Sequence, residues 1–212
     1  MKTVAILGAG NVARTLADAL ARAGHHPVVG ARNPGRSAAA WSDSAAKPTT
    51  LTSAAEAGDL VVNALPGPVA VDVLSGLARE LAGTVLVDVA NATIPDARGF
   101  AAELLYPGSS LAEELQRALP RTRVVKALNT VHVSAMAAPA SLAIPPTAFL
   151  SGNDTTAKAD TRTLLTTLGW DQHHVVDLGP ITTARVPESF LLLVGPLINA
   201  LGPIPFALSI AR

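Results

Sequence analysis

The sequence predicts a doubly wound α/β domain with a mostly parallel sheet, and three observations lead there. Short continuous runs of Val, Ile and Leu recur along the chain, as expected of strands buried on both faces. Stretches with apolar residues at helical spacing separate those runs. The first strand-to-helix junction is glycine-rich, at Gly8-Ala9-Gly10. At 212 residues the chain suits one generous domain with an appendage. Its 49% apolar content can bury a sizeable core, which excludes a disordered chain. Sixteen Lys plus Arg balance sixteen Asp plus Glu, and only 15% of residues are charged, so no basic surplus exists for bulk binding of nucleic acid. An aromatic content of 3% argues against base-stacking platforms as well.

The elements follow in order. Residues 3–7 form a short buried strand, after which Val12, Leu16, Leu20 and Ala23 recur at helical spacing and Gly24 supplies a stop. Residues 27–31 make the second strand and close a βαβ unit of ordinary size. Residues 33–52 are rich in Ala and Ser, with Trp41 isolated, and yield only a surface helix or loop. Apolar runs at 59–65, 84–89 and 123–128 are three more strands, joined by helical stretches such as 69–81 and 112–119. After a proline-marked link at 139–146 come a strand at 147–150, a helix at 155–168 and a last strand at 174–178.

Both ends carry segments that imitate other signals. Met1-Lys2 and the apolar residues 3–7 resemble the opening of a secretory signal, yet Arg14 and Asp18 interrupt the hydrophobic region such a signal requires. Residues 189–211 contain no charge and are long enough for a bilayer core of about 30 Å. Gly195-Pro196, Gly202-Pro203 and Pro205 break that stretch into shorter pieces, so a buried apolar helix plus loop is expected rather than a membrane span. With no cysteine there is no disulfide, thiolate nucleophile or Cys metal site, and a cytoplasmic home is the simplest reading.

Gly8-x-Gly10-x-x-Ala13 gains its weight from position. A strand precedes it and a helix follows, so Gly8 can turn tightly, Gly10 can admit a pyrophosphate, and the small Ala13 lets helix and strand pack closely. The backbone N–H groups of Asn11 and Val12, at the positive end of the helix dipole, then face the phosphates. This is the dinucleotide-binding fingerprint of a Rossmann domain, placed at 1–150, with 151–212 completing the sheet and supplying an apolar helix at the substrate cleft. An NAD site places Asp or Glu near the end of the second strand, but here stand Gly30-Ala31-Arg32-Asn33-Pro34. Arg32 can fork onto a 2′-phosphate and stack on adenine, and Arg36 adds a second positive charge, which selects NADP over NAD.

At this point the residues resemble a known family, the NADPH-dependent reductases of the deazaflavin coenzyme F420. Gly8-Ala-Gly-Asn-Val12, Gly30-Ala-Arg-Asn33 and Leu65-Pro66 match its NADP site, and Tyr106-Pro-Gly-Ser-Ser-Leu-Ala-Glu-Glu114, Val125-Lys-Ala-Leu-Asn-Thr130, Ser151-Gly-Asn-Asp154, Asp177-Leu-Gly-Pro180 and Ala184-Arg-Val-Pro-Glu-Ser189 match its later motifs in order. The resemblance spans nearly the whole chain. It implies direct hydride transfer between nicotinamide C4 and deazaflavin C5, with the rings stacked in a shared cleft and held at about 3–3.5 Å. It carries NADP contacts onto Ala9, Gly10, Asn11, Val12, Ala31, Arg32, Arg36, Leu65, Pro66, Gly67 and Val71, and also onto Asn91 and Val133. F420 or another flavin is then placed near Asn129 to Val133 and against the C-terminal segment.

The chain departs from the family where members commonly have a Pro-Trp-Glu run after the third strand. Pro66-Gly67-Pro68 lacks that aromatic wall and carboxylate, which bears on the second substrate and not on NADP. Direct transfer requires no acid–base residue, so none is assigned, though His132 stands where an imidazole would donate to a flavin or carbonyl oxygen. His25-His26 and His173-His174 read as solvated strand ends, because neighbours on a strand point to opposite faces, and no metal site is expected. Two other functions fit the same half of the chain: an NADPH-dependent reductase of a small imine or ketone, and a non-catalytic NADPH-sensing module. An uncharged tail also suits a homodimer interface.

Overall fold

The computed structural model describes residues 2–211; Met1, where the signal-like opening begins, lies outside them. The first half alternates strictly between strand and helix. β1 (Val4–Leu7) leads into α1 (Asn11–Arg22), and β2 (Val28–Ala31) into the short α2 (Pro34–Ala38). β3 (Pro48–Thr50) precedes α3 (Leu51–Ala57), β4 (Leu60–Asn63) precedes α4 (Gly67–Ser75), and β5 (Val85–Asp88) follows. A hairpin of β6 (Thr93–Pro95) and β7 (Ala101–Leu104) then interrupts the alternation before α5 (Leu111–Ala118) and β8 (Arg123–Lys126). The remainder is α6 (Val133–Met136), β9 (Ala148–Gly152), α7 (Thr155–Thr167), β10 (Val175–Asp177), α8 (Arg185–Ser189) and α9 (Leu191–Leu201).

The main sheet has the order β10-β9-β8-β5-β4-β1-β2-β3. From β3 to β8 every pair is parallel, with Val4 opposite Leu60 and Val85 opposite Arg123. β9 joins β8 antiparallel, Lys126 opposite Ser151, and β10 runs parallel to β9. Because β1 is flanked by β2 and β4, the chain reverses its direction across the sheet there, and a crevice opens at the carboxyl ends of β1 and β4. Alternate side chains feed the two faces. Val4 and Ile6 join a core with Leu16, Leu20, Leu165 and Trp170, while Ala5 and Leu7 join another with Leu74, Leu111 and Leu115.

Several sequence expectations change. Residues 33–52 hold α2, a 3-10 turn at Ala39–Trp41 and the edge strand β3. Trp41 is not isolated but 1% exposed, and its Nε1 donates to Ala9 O at 3.2 Å, bracing the glycine turn from behind. His173 and His174 sit in a 3-10 turn ahead of β10, not on a strand. The tail is not broken at Gly195-Pro196. α9 runs through Pro196 and stops at Gly202, whose φ of +81° suits glycine. The proline removes one helical bond, to the carbonyl of Leu192, and that residue is exposed, so water can take the donor's place. Nor is the helix buried: Gly195 is its one buried residue. Gly195 lets the helix approach Phe100 of the hairpin, where an added Cβ would lie 3.2 Å from the Phe100 Cβ. The helical run Ile181–Leu201, with mean hydropathy 1.3, is long and apolar enough to cross a membrane by length and composition.

Candidate functional site

One cleft of about 1510 Å³ runs over the carboxyl ends of β1, β2, β4, β5 and β8. Its floor begins at the glycine turn. Gly8 N donates to Gly30 O at 2.9 Å, and Gly8 has a φ of +121° and lies so close to the loop after β4 that a Cβ would lie 2.4 Å from Ala64 O. Only glycine satisfies both the dihedral and the approach. Gly10 faces open space, with nothing within 4 Å of a Cβ placed there, and it is the N-cap of α1. That helix has no side-chain cap and no acidic residue in its first turn, so its N–H groups and dipole are left for an anion.

At the end of β2 the cleft wall passes to Ala31, Arg32, Asn33, Arg36 and Ser37. Asn33 caps α2 by accepting from Arg36 N at 3.1 Å, which turns the chain so that both arginines stand at one end of the cleft. Arg32 is exposed and, among the described residues, neither guanidinium has an ion pair or a hydrogen bond. These are the features a 2′-phosphate requires, two cations and no carboxylate beside them.

Leu65, Pro66 and Gly67 line the next segment, together with Asn91, Asn129, His132 and Val133. Val71 does not reach the cleft, and Val69 and Val73 do. These two are four residues apart on α4 and share a face, whereas Val71 lies about half a turn away and packs into the core beside Leu74. Gly67 replaces the aromatic expected of the family with backbone rather than with space: a Cβ on it would lie 2.0 Å from Asn91 O. Asn91 in turn pairs reciprocally with Asn129, Nδ2 of the first donating to the backbone O of the second and Nδ2 of the second to Oδ1 of the first, both at 2.9 Å. Leu128 beside it has a φ of 58°, a left-handed conformation unusual for a leucine, and so swings Asn129 toward the cleft. His132 caps α6: its Nδ1 accepts from Ser134 N at 3.3 Å and meets Ser134 Oγ at 2.8 Å, which leaves Nε2 as the free nitrogen.

The far half of the cleft is apolar. Met136 and the tail residues Phe190, Leu191, Val194, Ile198, Ile204 and Phe206 form it. Phe190 and Phe206 meet edge to face at 6.3 Å, and the chain beyond folds back, with His132 N donating to Phe206 O at 3.3 Å and Thr147 N to Leu208 O at 2.8 Å. The tail is therefore pinned at both ends as a roof.

Beneath the floor lies a group that sequence reasoning missed. Lys126 is 0% exposed, and its Nζ reaches Asp88 Oδ2 at 2.8 Å, Glu188 Oε2 at 2.9 Å and Ala90 O at 2.5 Å. Burial alone would lower the lysine's pKa, but the two carboxylates and their hydrogen bonds outweigh it and hold the ammonium above its ordinary value. The surplus negative charge is met by Leu111 N, at 3.1 Å from Glu188 at the start of α5, where the helix dipole favours an anion.

Comparison with known proteins agrees with this geometry. A family model described as NADP oxidoreductase, coenzyme F420-dependent, matches residues 3–92. The crystal structure of a proposed F420-dependent NADP-reductase from Arthrobacter sp. FB24 superposes with a TM-score of 0.89 at 36% identity, covering 100% of both chains. Metalloreductase STEAP3 of Rattus norvegicus is 32% identical over 193 residues, which is 91% of this chain and 37% of that protein, so the chain spans little more than a third of this curated relative. An imine reductase from Streptomyces aurantiacus shares the fold, with a TM-score of 0.69 at 19% identity over 93% of this chain and 63% of the other.

Proposed function

We propose that this chain, which belongs to the coenzyme F420-dependent NADP oxidoreductase family, binds NADP(H) along its glycine turn and exchanges hydride with an F420-type deazaflavin or a related flavin. The observation that carries this reading is the division of one cleft into two halves, a phosphate end with two arginines whose guanidinium groups have no partner among the described residues, and an apolar end roofed by the tail. Its volume exceeds the roughly 300–1,000 Å³ of a site for one small molecule, which suits two ligands side by side.

NADPH bound there would supply a hydride, two electrons and a hydrogen nucleus from its C4, to position 5 of the acceptor ring (C5 in a deazaflavin, N5 in a flavin), leaving NADP⁺ while the reduced ring would take one proton from solvent. The protein's own part is positioning. The glycine turn and the α1 N-terminus hold the pyrophosphate, Arg32 and Arg36 the 2′-phosphate, and Gly67, Asn91 and Asn129 the floor on which a nicotinamide lies. The free Nε2 of His132 serves as a hydrogen-bond donor to an acceptor oxygen. The tail excludes water from above. Its outward Leu192 and Leu193 are offered to a second copy of the chain, a homodimer that sedimentation velocity reads directly.

Two experiments test this. Mixing the protein with NADPH and, separately, oxidised F420, FMN or a pyrroline, while following nicotinamide absorbance, should give oxidation with the deazaflavin. Turnover of the pyrroline alone supports an imine reductase instead, and saturable NADPH binding with no oxidation by any acceptor supports a sensor. Arg32→Ala should weaken NADPH by about 10- to 100-fold, since each charged hydrogen bond is worth about 1.5–3 kcal/mol, and weaken NADH much less, by the lost adenine stacking alone. Equal losses for both nucleotides would remove the 2′-phosphate assignment.

A further inference from the structure

Apart from the Leu111 N–H at the start of α5, the buried ions under the cleft end on backbone groups of its walls. Leu65 N donates to Asn63 Oδ1 at 3.2 Å, and Asn63 Nδ2 donates to Asp88 Oδ1 at 2.8 Å. Asp88 Oδ1 also accepts from Ala90 N at 3.2 Å, and Lys126 Nζ holds the Ala90 carbonyl. Glu188 accepts from Ala92 N at 3.4 Å and receives the same ammonium. One connected set of polar atoms thus fixes the loop after β4 and the loop after β5. It also fixes the root of the tail, because Phe190, the first roof residue, stands two positions beyond Glu188.

Stability gives a weak reason for such a cluster, since well-packed hydrophobic residues in place of buried ions are often as stable or more so. Register gives a stronger one. Hydride transfer depends on the gap between two carbons, and a misplacement of about 1 Å costs roughly 100-fold in rate.

We propose that Asn63, Asp88, Lys126 and Glu188 act as positioning residues, setting the separation between the floor formed by the Leu65 and Ala90 loops and the roof formed by the tail. The proposal rests on the hydride-transfer reading above. It assigns these four residues no contact with either substrate. Each acts through the backbone it holds.

The test compares Glu188→Gln with Thr122→Val. The latter removes a buried hydroxyl that donates to Leu81 O at 2.9 Å, away from the cleft. Glu188→Gln keeps the side chain's size and places an amide where Ala92 N, Leu111 N or the ammonium requires an acceptor. Backbone amide exchange should accelerate by about tenfold or more at Ala92, which loses its carboxylate acceptor, and also at Ala90 and Leu65, which keep their own acceptors but are held in place through Lys126, Asp88 and Asn63, while Val61 and Val62 in β4 keep their protection. The kcat with saturating NADPH and deazaflavin should fall by about tenfold or more, with the NADPH Kd changed by less than about threefold. Thr122→Val should alter neither. Unchanged exchange at the three loop amides in Glu188→Gln would overturn the proposal, as would unchanged kcat or a parallel loss in both variants. If wild-type protein binds NADPH but reduces no acceptor, it is the hydride-transfer reading that fails, and the exchange pattern alone then decides whether the four residues hold the loops.

Discussion

Gly8→Ala is expected to lose about 1–3 kcal/mol from forcing a side chain to a φ of +121°. Overlap of its Cβ with Ala64 O, 2.4 Å away, adds about 1–3 kcal/mol of overpacking. The strand–turn–helix junction has no room to relax, because Gly8 N is tied to Gly30 O, Ala64 N to Leu7 O at 2.8 Å, and Trp41 holds Ala9 from behind. Urea unfolding should therefore show a clearly lower midpoint, and NADPH should bind poorly to what remains folded. Gly10→Ala is the contrast. Its backbone has a φ of −88°, open to any residue, and space surrounds the added methyl, so the fold should lose only about 1 kcal/mol, the ordinary cost at an N-cap. The NADPH affinity should still fall, since the methyl stands where a pyrophosphate would approach. Equal stability of the two variants would contradict the close approach at Gly8.

Lys126→Met is expected to cost about 3–5 kcal/mol at pH 7, because Asp88 and Glu188 stay buried without their cation. The sign with pH follows from the raised lysine value. A folded-state pKa above the unfolded one makes the contribution fully present below about pH 10.5 and lost as pH rises through the folded value. The wild-type advantage over Lys126→Met should hence be level through the neutral range and shrink only in strong alkali. Denaturant unfolding at pH 7 and pH 11 checks both statements, and a loss under about 1 kcal/mol at pH 7 would show that the ions do not hold the fold.

Most of the architecture was legible because the signals are local. The run at residues 3–7, the glycine turn and the helical spacing of Leu16 and Leu20 lie within one βαβ unit, and all three held. The strand β3 was not, since Pro48, Thr49 and Thr50 carry no apolar pattern and gain their pairing from β2. The β6–β7 hairpin was missed for a related reason: its residues are half-buried or exposed, and it exists to seat α9. Within the site, the glycine turn and Arg32 announce themselves in adjacent residues. The Asp88, Lys126 and Glu188 cluster does not, as its members lie 38 and 62 residues apart and nothing in the run at 123–128 shows which carboxylates meet its lysine. Val71 shows the limit of motif transfer, for a helix places neighbouring residues on different faces.

The central claim is direct hydride transfer across the cleft, and an isotope label tests it most directly. NADPH carrying deuterium at the transferable C4 position should deliver it to C5 of the reduced deazaflavin, where a carbon-bound hydrogen does not exchange with water. Mass spectrometry of the product should find one deuterium per turnover. Label appearing in solvent, or NADPH that binds yet is oxidised by no acceptor, would contradict the account.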